Sequence, residues 1–106
     1  MSLPKITDAN FEETISKGIV LVKATAQWCG PCKAMAPTLE DVQKDMEGQI
    51  TMYDLDIDDN PITPTKFGVR GVPTMMIFKN NQHVGSKVGA VSKSQLVEFI
   101  EQSTKD

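Results

Sequence analysis

The stretch from Ile19 to Cys32, IVLVKATAQWCGPC, changes its periodicity midway, and that change dictates most of the architecture. Up to Ala26 it is short, rich in β-branched residues and apolar on both faces for most of its length. That is the pattern of a strand inside a sheet covered on two sides. After Trp28 the apolar positions are Cys32, Met35, Leu39, Val42 and Met46, in alternating steps of three and four. They form one stripe of a helix, most simply a core-facing one. Pro31 suits the first turn of that helix, where a missing N–H is not needed. Pro37 falls inside, where its bond to the Lys33 carbonyl cannot form and a kink is expected. Gly48 closes the helix.

The rest of the chain continues the alternation. Thr7 or Asp8 is placed to cap a first helix, with Phe11 and Ile15 on its buried side and Lys17-Gly18 at its end. ITMYDLDI is a second strand, and NPITPTKFG is a loop or short helix around two prolines. PTMMIFK and HVGSKVG flank Asn80-Asn81-Gln82 as a hairpin. Ser92 and Gln95 form a capping box for a last helix whose Leu96, Phe99 and Ile100 face inward. Strands and helices alternate and then a hairpin follows, which predicts an α/β sheet of mixed strand direction. No repeat or linker interrupts it, so residues 1–106 are expected to form a single domain.

Composition removes several functions. The 106 residues suffice for one core, and 40% hydrophobic with 24% charged residues is globular composition. A net charge of -3 with no basic cluster gives no electrostatic support for nucleic acid or anionic membrane. No apolar run approaches the roughly 20 residues that span a bilayer. The start, MSLPKITDAN, lacks the basic and apolar regions of a secretory signal, so a cytoplasmic location is expected.

Two cysteines, Cys29 and Cys32, are too few for a disulfide scaffold. A crosslink over so short a loop restricts the unfolded chain little, so stability is a poor reason for it. In a reducing compartment such a pair is redox-active or metal-binding. The thiolate is the form that attacks a disulfide, and a free thiol titrating near about 8.5 holds little of it at neutrality. Cys29 falls where the strand ends and the helix begins, beside unpaired N–H groups and the positive end of the helix dipole. It is the predicted nucleophile. Cys32, one turn deeper on the buried stripe, is the predicted resolving thiol. Gly30 lets the backbone turn and Pro31 stiffens it. A structural zinc site wants four ligands, and only His83 is left to add. A soft copper ion on two thiolates is chemically possible but favours a flexible exposed loop over Trp28 and Pro31.

QWCGPCK, followed by MAPTLEDV, FGVRGVPTMMIFKN and KVGAVSKSQLVEFI, resembles the thioredoxin family nearly end to end. The resemblance implies the thioredoxin fold: a central mixed five-stranded sheet, order 1-3-2-4-5, flanked by four helices. It implies a thiol–disulfide oxidoreductase that reduces protein disulfides through a redox-active Cys29–Cys32 pair. It further implies a monomer with no bound cofactor or metal, with thioredoxin reductase and disulfide-containing proteins as partners and NADPH supplying electrons through the reductase. Carried over by position, Cys29 is the nucleophile and Cys32 the resolving cysteine. Trp28, Gly30, Pro31, Gly71, Val72, Pro73 and Gly89 line the substrate groove. Val72–Pro73 is then the family's cis peptide bond, with the Val72 backbone facing the cysteines and free to pair with an extended substrate.

Just behind the cysteines the chain departs from that pattern. The family has a buried aspartate where this chain has Lys23 and a lysine where it has Asp54, so the two charges are exchanged. Small residues, Ala24 and Thr25, also replace aromatic ones. Isolating either charge costs on the order of several kcal/mol, so Lys23 and Asp54 are expected to pair across neighbouring strands. They are candidate catalytic residues: the ammonium favours thiolate, and Asp54 through water or a neutral Lys23 supplies the base. The alternative is a Lys23 that snorkels to solvent.

DLDIDDN spaces Asp54, Asp56 and Asp58 like the start of a calcium loop. Asp59 where that loop needs glycine, and Thr65 where it needs glutamate, exclude it and leave solvated carboxylates. His83 is expected to be an exposed turn residue. Two further activities are compatible with the motif. One is a disulfide oxidase or isomerase, which Gly30-Pro31 argues against by offering no cation and a buried Lys23 argues for. The other is a binding module whose thiols are incidental.

Overall fold

Strand β1 (Ile19–Thr25) occupies the middle of the sheet because both its faces are apolar; its five central residues are buried. It pairs in parallel with β2 (Thr51–Asp56) on one side and antiparallel with β3 (Thr74–Lys79) on the other. β3 continues antiparallel into β4 (Gln82–Val88), giving a mixed sheet in the order β2-β1-β3-β4. Helices α1 (Phe11–Thr14), α2 (Gly30–Asp45), α3 (Ile62–Lys66) and α4 (Lys93–Thr104) complete it. The structure, a computed structural model, describes residues 3–105.

The five-stranded expectation is corrected: the described residues hold four strands, in the order just given. The segment before α1 meets the outer edge of β2 through a single parallel bridge, Lys5 to Asp54. The Asp54 N–H donates to the Pro4 carbonyl at 2.8 Å and the Ile6 N–H to the Asp54 carbonyl at 2.9 Å. Pro4 has no N–H to give, so the ladder cannot lengthen through it.

Alternation along the strands sorts the core into two layers. Leu21, Met52, Met75 and Ile77 face α2 and α4, where Met35, Leu39, Val42, Leu96 and Ile100 meet them. Val20, Val22, Leu55, Met76 and Phe78 face the other way, onto Ile6, Phe11 and Ile15. Lys23 extends the Leu21 row and Asp54 the Met52 row. Both therefore point toward α2, directly below its first turn.

Local signals place the ends of most elements. Ser92 and Gln95 form the capping box of α4. Asn80 and Asn81 take left-handed φ values of 50° and 74°, the conformation of a tight two-residue hairpin turn. The cap expected for α1 is corrected. Asn10 holds the cap position without a side-chain bond to the helix, and α1 ends at Thr14, ahead of Gly18. The Asp8 carboxylate instead crosses to α3, accepting from the Ile62 N–H at 3.1 Å, the Thr63 N–H at 2.9 Å and the Thr63 hydroxyl at 2.7 Å. His83 is exposed, as expected of it, but lies in β4 and not in the turn; its ring stacks on Phe78 with centroids 5.2 Å apart.

Candidate active site

Cys29 is the N-cap of α2, in extended conformation, with Pro31 in the first turn. Its sulfur accepts the Cys32 N–H at 3.1 Å, so an orphan donor of the helix start ends on that sulfur. Cys29 and Cys32 are joined as a disulfide with Cα atoms 5.3 Å apart. Both residues are more enclosed than their place at the helix start suggests. Cys29 retains 4% exposure and Cys32 none, and Ala26, Ile57 and Val72 pack around them.

The residues expected to form a groove surround this disulfide in part. Val72 touches the cysteine cluster, and the Val72–Pro73 bond is cis. The Gly89 N–H donates to the Pro73 carbonyl at 2.8 Å, which ties Gly89 to the same loop. The Gly71 carbonyl accepts the Thr74 hydroxyl at 2.7 Å, and Gly30, Pro31 and Gly71 are exposed. Trp28 is 69% exposed and donates its indole N–H to Asp58 at 2.9 Å. Asp58 and Ile57 are the neighbours that sequence reasoning missed. Asp58 is a tether for Trp28 and not merely a solvated carboxylate, and Asp56 accepts the N–H groups of Asp58 and Asp59 as an Asx turn.

Below the disulfide, Lys23 and Asp54 are register partners on β1 and β2. Lys23 is only 3% exposed, which excludes the snorkelling alternative. Its ammonium lies 3.2 Å from Asp54 Oδ1 and donates to the Cys32 carbonyl at 3.3 Å. The first contact is an ion pair by distance, without hydrogen-bond alignment at that oxygen. Burial pushes the Asp54 carboxyl above its usual range, outweighing the pull of Lys23, and Glu40 adds to the rise. A pocket of about 450 Å³ opens beside the pair, lined among others by Lys23, Thr25, Ala26, Cys32 and Asp54. The small side chains at Thr25 and Ala26 leave this space.

Among the described residues no group of three or more His, Cys, Asp and Glu side chains is placed to hold a metal, and no helix is long and apolar enough to cross a membrane.

A Cys-X-X-Cys disulfide capping a helix at the end of a central strand defines a thiol–disulfide oxidoreductase, whose exchange chemistry requires no bound cofactor. The sequence model of the family described as Thioredoxin matches residues 2–102. Thioredoxin of Pseudomonas aeruginosa is 50% identical over 98 residues, covering 91% of this chain and 91% of that protein. Thioredoxin of Rhodospirillum rubrum is 44% identical over 103 residues, covering 95% and 99%. That of Staphylococcus saprophyticus is 44% identical over 101 residues, covering 95% and 97%. The chain belongs to the thioredoxin family, and it reduces protein disulfides by dithiol–disulfide exchange through its cysteine pair.

Proposed function

We propose that Cys29 attacks the substrate disulfide and Cys32 resolves the mixed disulfide that results. The observation that carries this assignment is the Cys29 sulfur at the cap of α2, accepting the Cys32 N–H. A thiolate at that position keeps the same donor and gains from the helix dipole. Cys32, wholly buried one turn on, suits the second step, in which the attacked sulfur is already held beside it.

The substrate groove comprises Trp28, Gly30, Pro31, Gly71, Val72, Pro73 and Gly89. Val72 packs against the cysteines, which supports its backbone as the place where an extended substrate segment pairs. Lys23 and Asp54 act on the pair from behind: Asp54 shares a pocket with Cys32 and takes up the proton that Cys32 releases, through solvent. In this reading the chain is a single cytoplasmic domain over residues 1–106, working as a monomeric electron carrier. Thioredoxin reductase returns it to the dithiol with electrons from NADPH, and disulfide-containing proteins spend them.

The test is trapping. Cys32→Ser is expected to accumulate a mixed disulfide with a protein substrate through Cys29, and Cys29→Ser to form none and lose insulin-type disulfide reduction. Accumulation on Cys32 in the Cys29→Ser variant overturns the order of attack. Reduction that survives in Cys29→Ser overturns the nucleophile.

A further inference from the structure

Lys23 places a buried cation against the first turn of α2, with its ammonium 3.3 Å from the carbonyl of Cys32. The carboxylate of the pair comes from the neighbouring strand and lines the same pocket as Cys32. Asp54 belongs to the outer strand β2, where its backbone bridges Lys5, and it is 16% exposed. Of the two charges, the ammonium is the one in direct contact with a cysteine residue, at the Cys32 carbonyl, and Asp54 meets it through Lys23. Other charges face the site from its walls. Lys5 comes from the N-terminal segment, Lys33 from α2, and Asp56 and Asp59 from the end of β2 and the turn after it. Glu40 on α2 acts on Asp54.

Reducing the disulfide creates negative charge on sulfur. A cation fixed nearby stabilises that product and leaves the neutral disulfide unaffected, which moves the equilibrium toward the reduced protein. We propose that Lys23 sets this bias, so that the oxidised form of the chain also accepts electrons from dithiol substrates and, with its reductase activity, redistributes disulfides. The inference rests on the exchange through Cys29 and Cys32 proposed above. Lys23 acts on the sulfurs through Cys32 and is a positioning residue.

The reaction closes without an outside oxidant. A substrate thiolate attacks the Cys29 sulfur, a bond forms between the two, and the Cys29–Cys32 bond breaks with its electron pair leaving on Cys32. The second substrate thiolate then attacks the substrate sulfur of the mixed disulfide, and Cys29 leaves as thiolate. The substrate has lost two electrons and the protein has gained them. The two thiol protons pass to solvent or to the cysteines. Reduction of a second substrate disulfide runs these steps backward and restores Cys29–Cys32.

Equilibration with defined ratios of reduced and oxidised glutathione, quenched by alkylation and weighed by mass spectrometry, tests the bias. Lys23→Met is expected to lower the equilibrium constant for reduction roughly tenfold, about 30 mV for a two-electron couple. Asp54→Asn, which removes the opposing charge, is expected to raise it. Should a single variant fail to fold, Lys23→Met/Asp54→Leu isolates no charge and is expected below the parent; a value at or above the parent overturns the proposal. At a fixed glutathione ratio the parent is expected to oxidise a dithiol peptide to a greater extent than Lys23→Met. Equal extents, unmoved equilibria, or both single variants shifting in one direction overturn the bias while leaving the reductase reading intact. A parent that does not exchange with glutathione at all overturns the exchange reading itself.

Discussion

The indole N–H of Trp28 donates to Asp58 Oδ2 at 2.9 Å while the rest of the residue stays 69% exposed. One hydrogen bond thus fixes a large apolar surface beside Cys29, at the end of a turn that Asp56 organises. Freeing the ring leaves the core untouched, so Asp58→Ala is expected to change stability by no more than about 0.5 kcal/mol. It is expected to lower kcat/KM for a protein disulfide roughly threefold, through ordering lost at Trp28 in the proposed substrate groove. Because Trp28 is the only tryptophan, its fluorescence anisotropy reports the tether directly. An unchanged anisotropy shows that Asp58 does not hold the ring.

Asp8 joins the N-terminal segment to the start of α3, two parts of the chain far apart in sequence. Burial alone raises its carboxyl, but the hydroxyl and N–H of Thr63 and the N–H of Ile62 outweigh that and hold it below the usual range. Asp8→Ala is expected to cost about 1 kcal/mol, as the loss of a helix cap does. The sign of the pH effect follows from the lowered value. The stabilisation is complete above the unfolded carboxyl's pKa and is lost as pH falls through the folded one. Urea melts of parent and variant are expected to differ most at neutral pH and to converge in acid. A difference that grows toward acid contradicts this account.

Local patterns carried much of this architecture, and tertiary contacts carried the rest. β1 was legible because both its faces are apolar, and α2 because Cys32, Met35, Leu39 and Val42 keep one stripe. Cys29 at the cap followed from the joint between the two. The Lys23–Asp54 contact was legible as a requirement, since a charge inside such a strand needs a partner. What Lys23 touches besides Asp54 was not, because the Cys32 carbonyl comes from the backbone of another element. Asp8 offered itself as a local cap, yet its partners lie more than 50 residues away, beyond any window of local pattern. The missing strand turns on Pro4, whose lost donor counts only once its neighbour on β2 is known. Asp58 looked solvated for the same reason: its partner Trp28 is close in space alone.

Gly85 in β4 has no room for a side chain. A Cβ there would overlap Ser103 on α4 and press on Phe99 at 3.3 Å. Relief requires α4 to move off the sheet, since the overlapped atoms include the Ser103 Cβ and not only its hydroxyl. Gly85→Ala is therefore expected to destabilise by about 1–3 kcal/mol. Pairing it with Ser103→Gly is expected to recover part of that, although glycine in a helix itself costs about 1 kcal/mol. A thermal melt showing Gly85→Ala at or above the parent's Tm contradicts the packing.

Removing one member of the Lys23–Asp54 pair strands the other, and the two losses are unequal because Lys23 is the more deeply buried. Asp54→Leu leaves an ammonium with, among the described residues, only the Cys32 carbonyl to answer it, and is expected to cost about 3–5 kcal/mol. Lys23→Met leaves a carboxylate that still reaches solvent and is expected to cost less. The double variant is expected to be more stable than Asp54→Leu, giving a coupling free energy outside the error of a urea-melt cycle. The pH dependence runs opposite to that of Asp8. Burial raises the folded Asp54 carboxyl above its unfolded value, so its contribution is most favourable in acid. It declines as pH rises from the unfolded pKa through the folded one, then levels off. Asp54→Asn is expected to remove that decline, so the parent-minus-variant stability should fall across the window. A difference that rises there instead would mean that the Lys23 ammonium, and not burial, governs the Asp54 carboxyl. A double variant no better than Asp54→Leu would mean that the pair is not what holds the buried lysine.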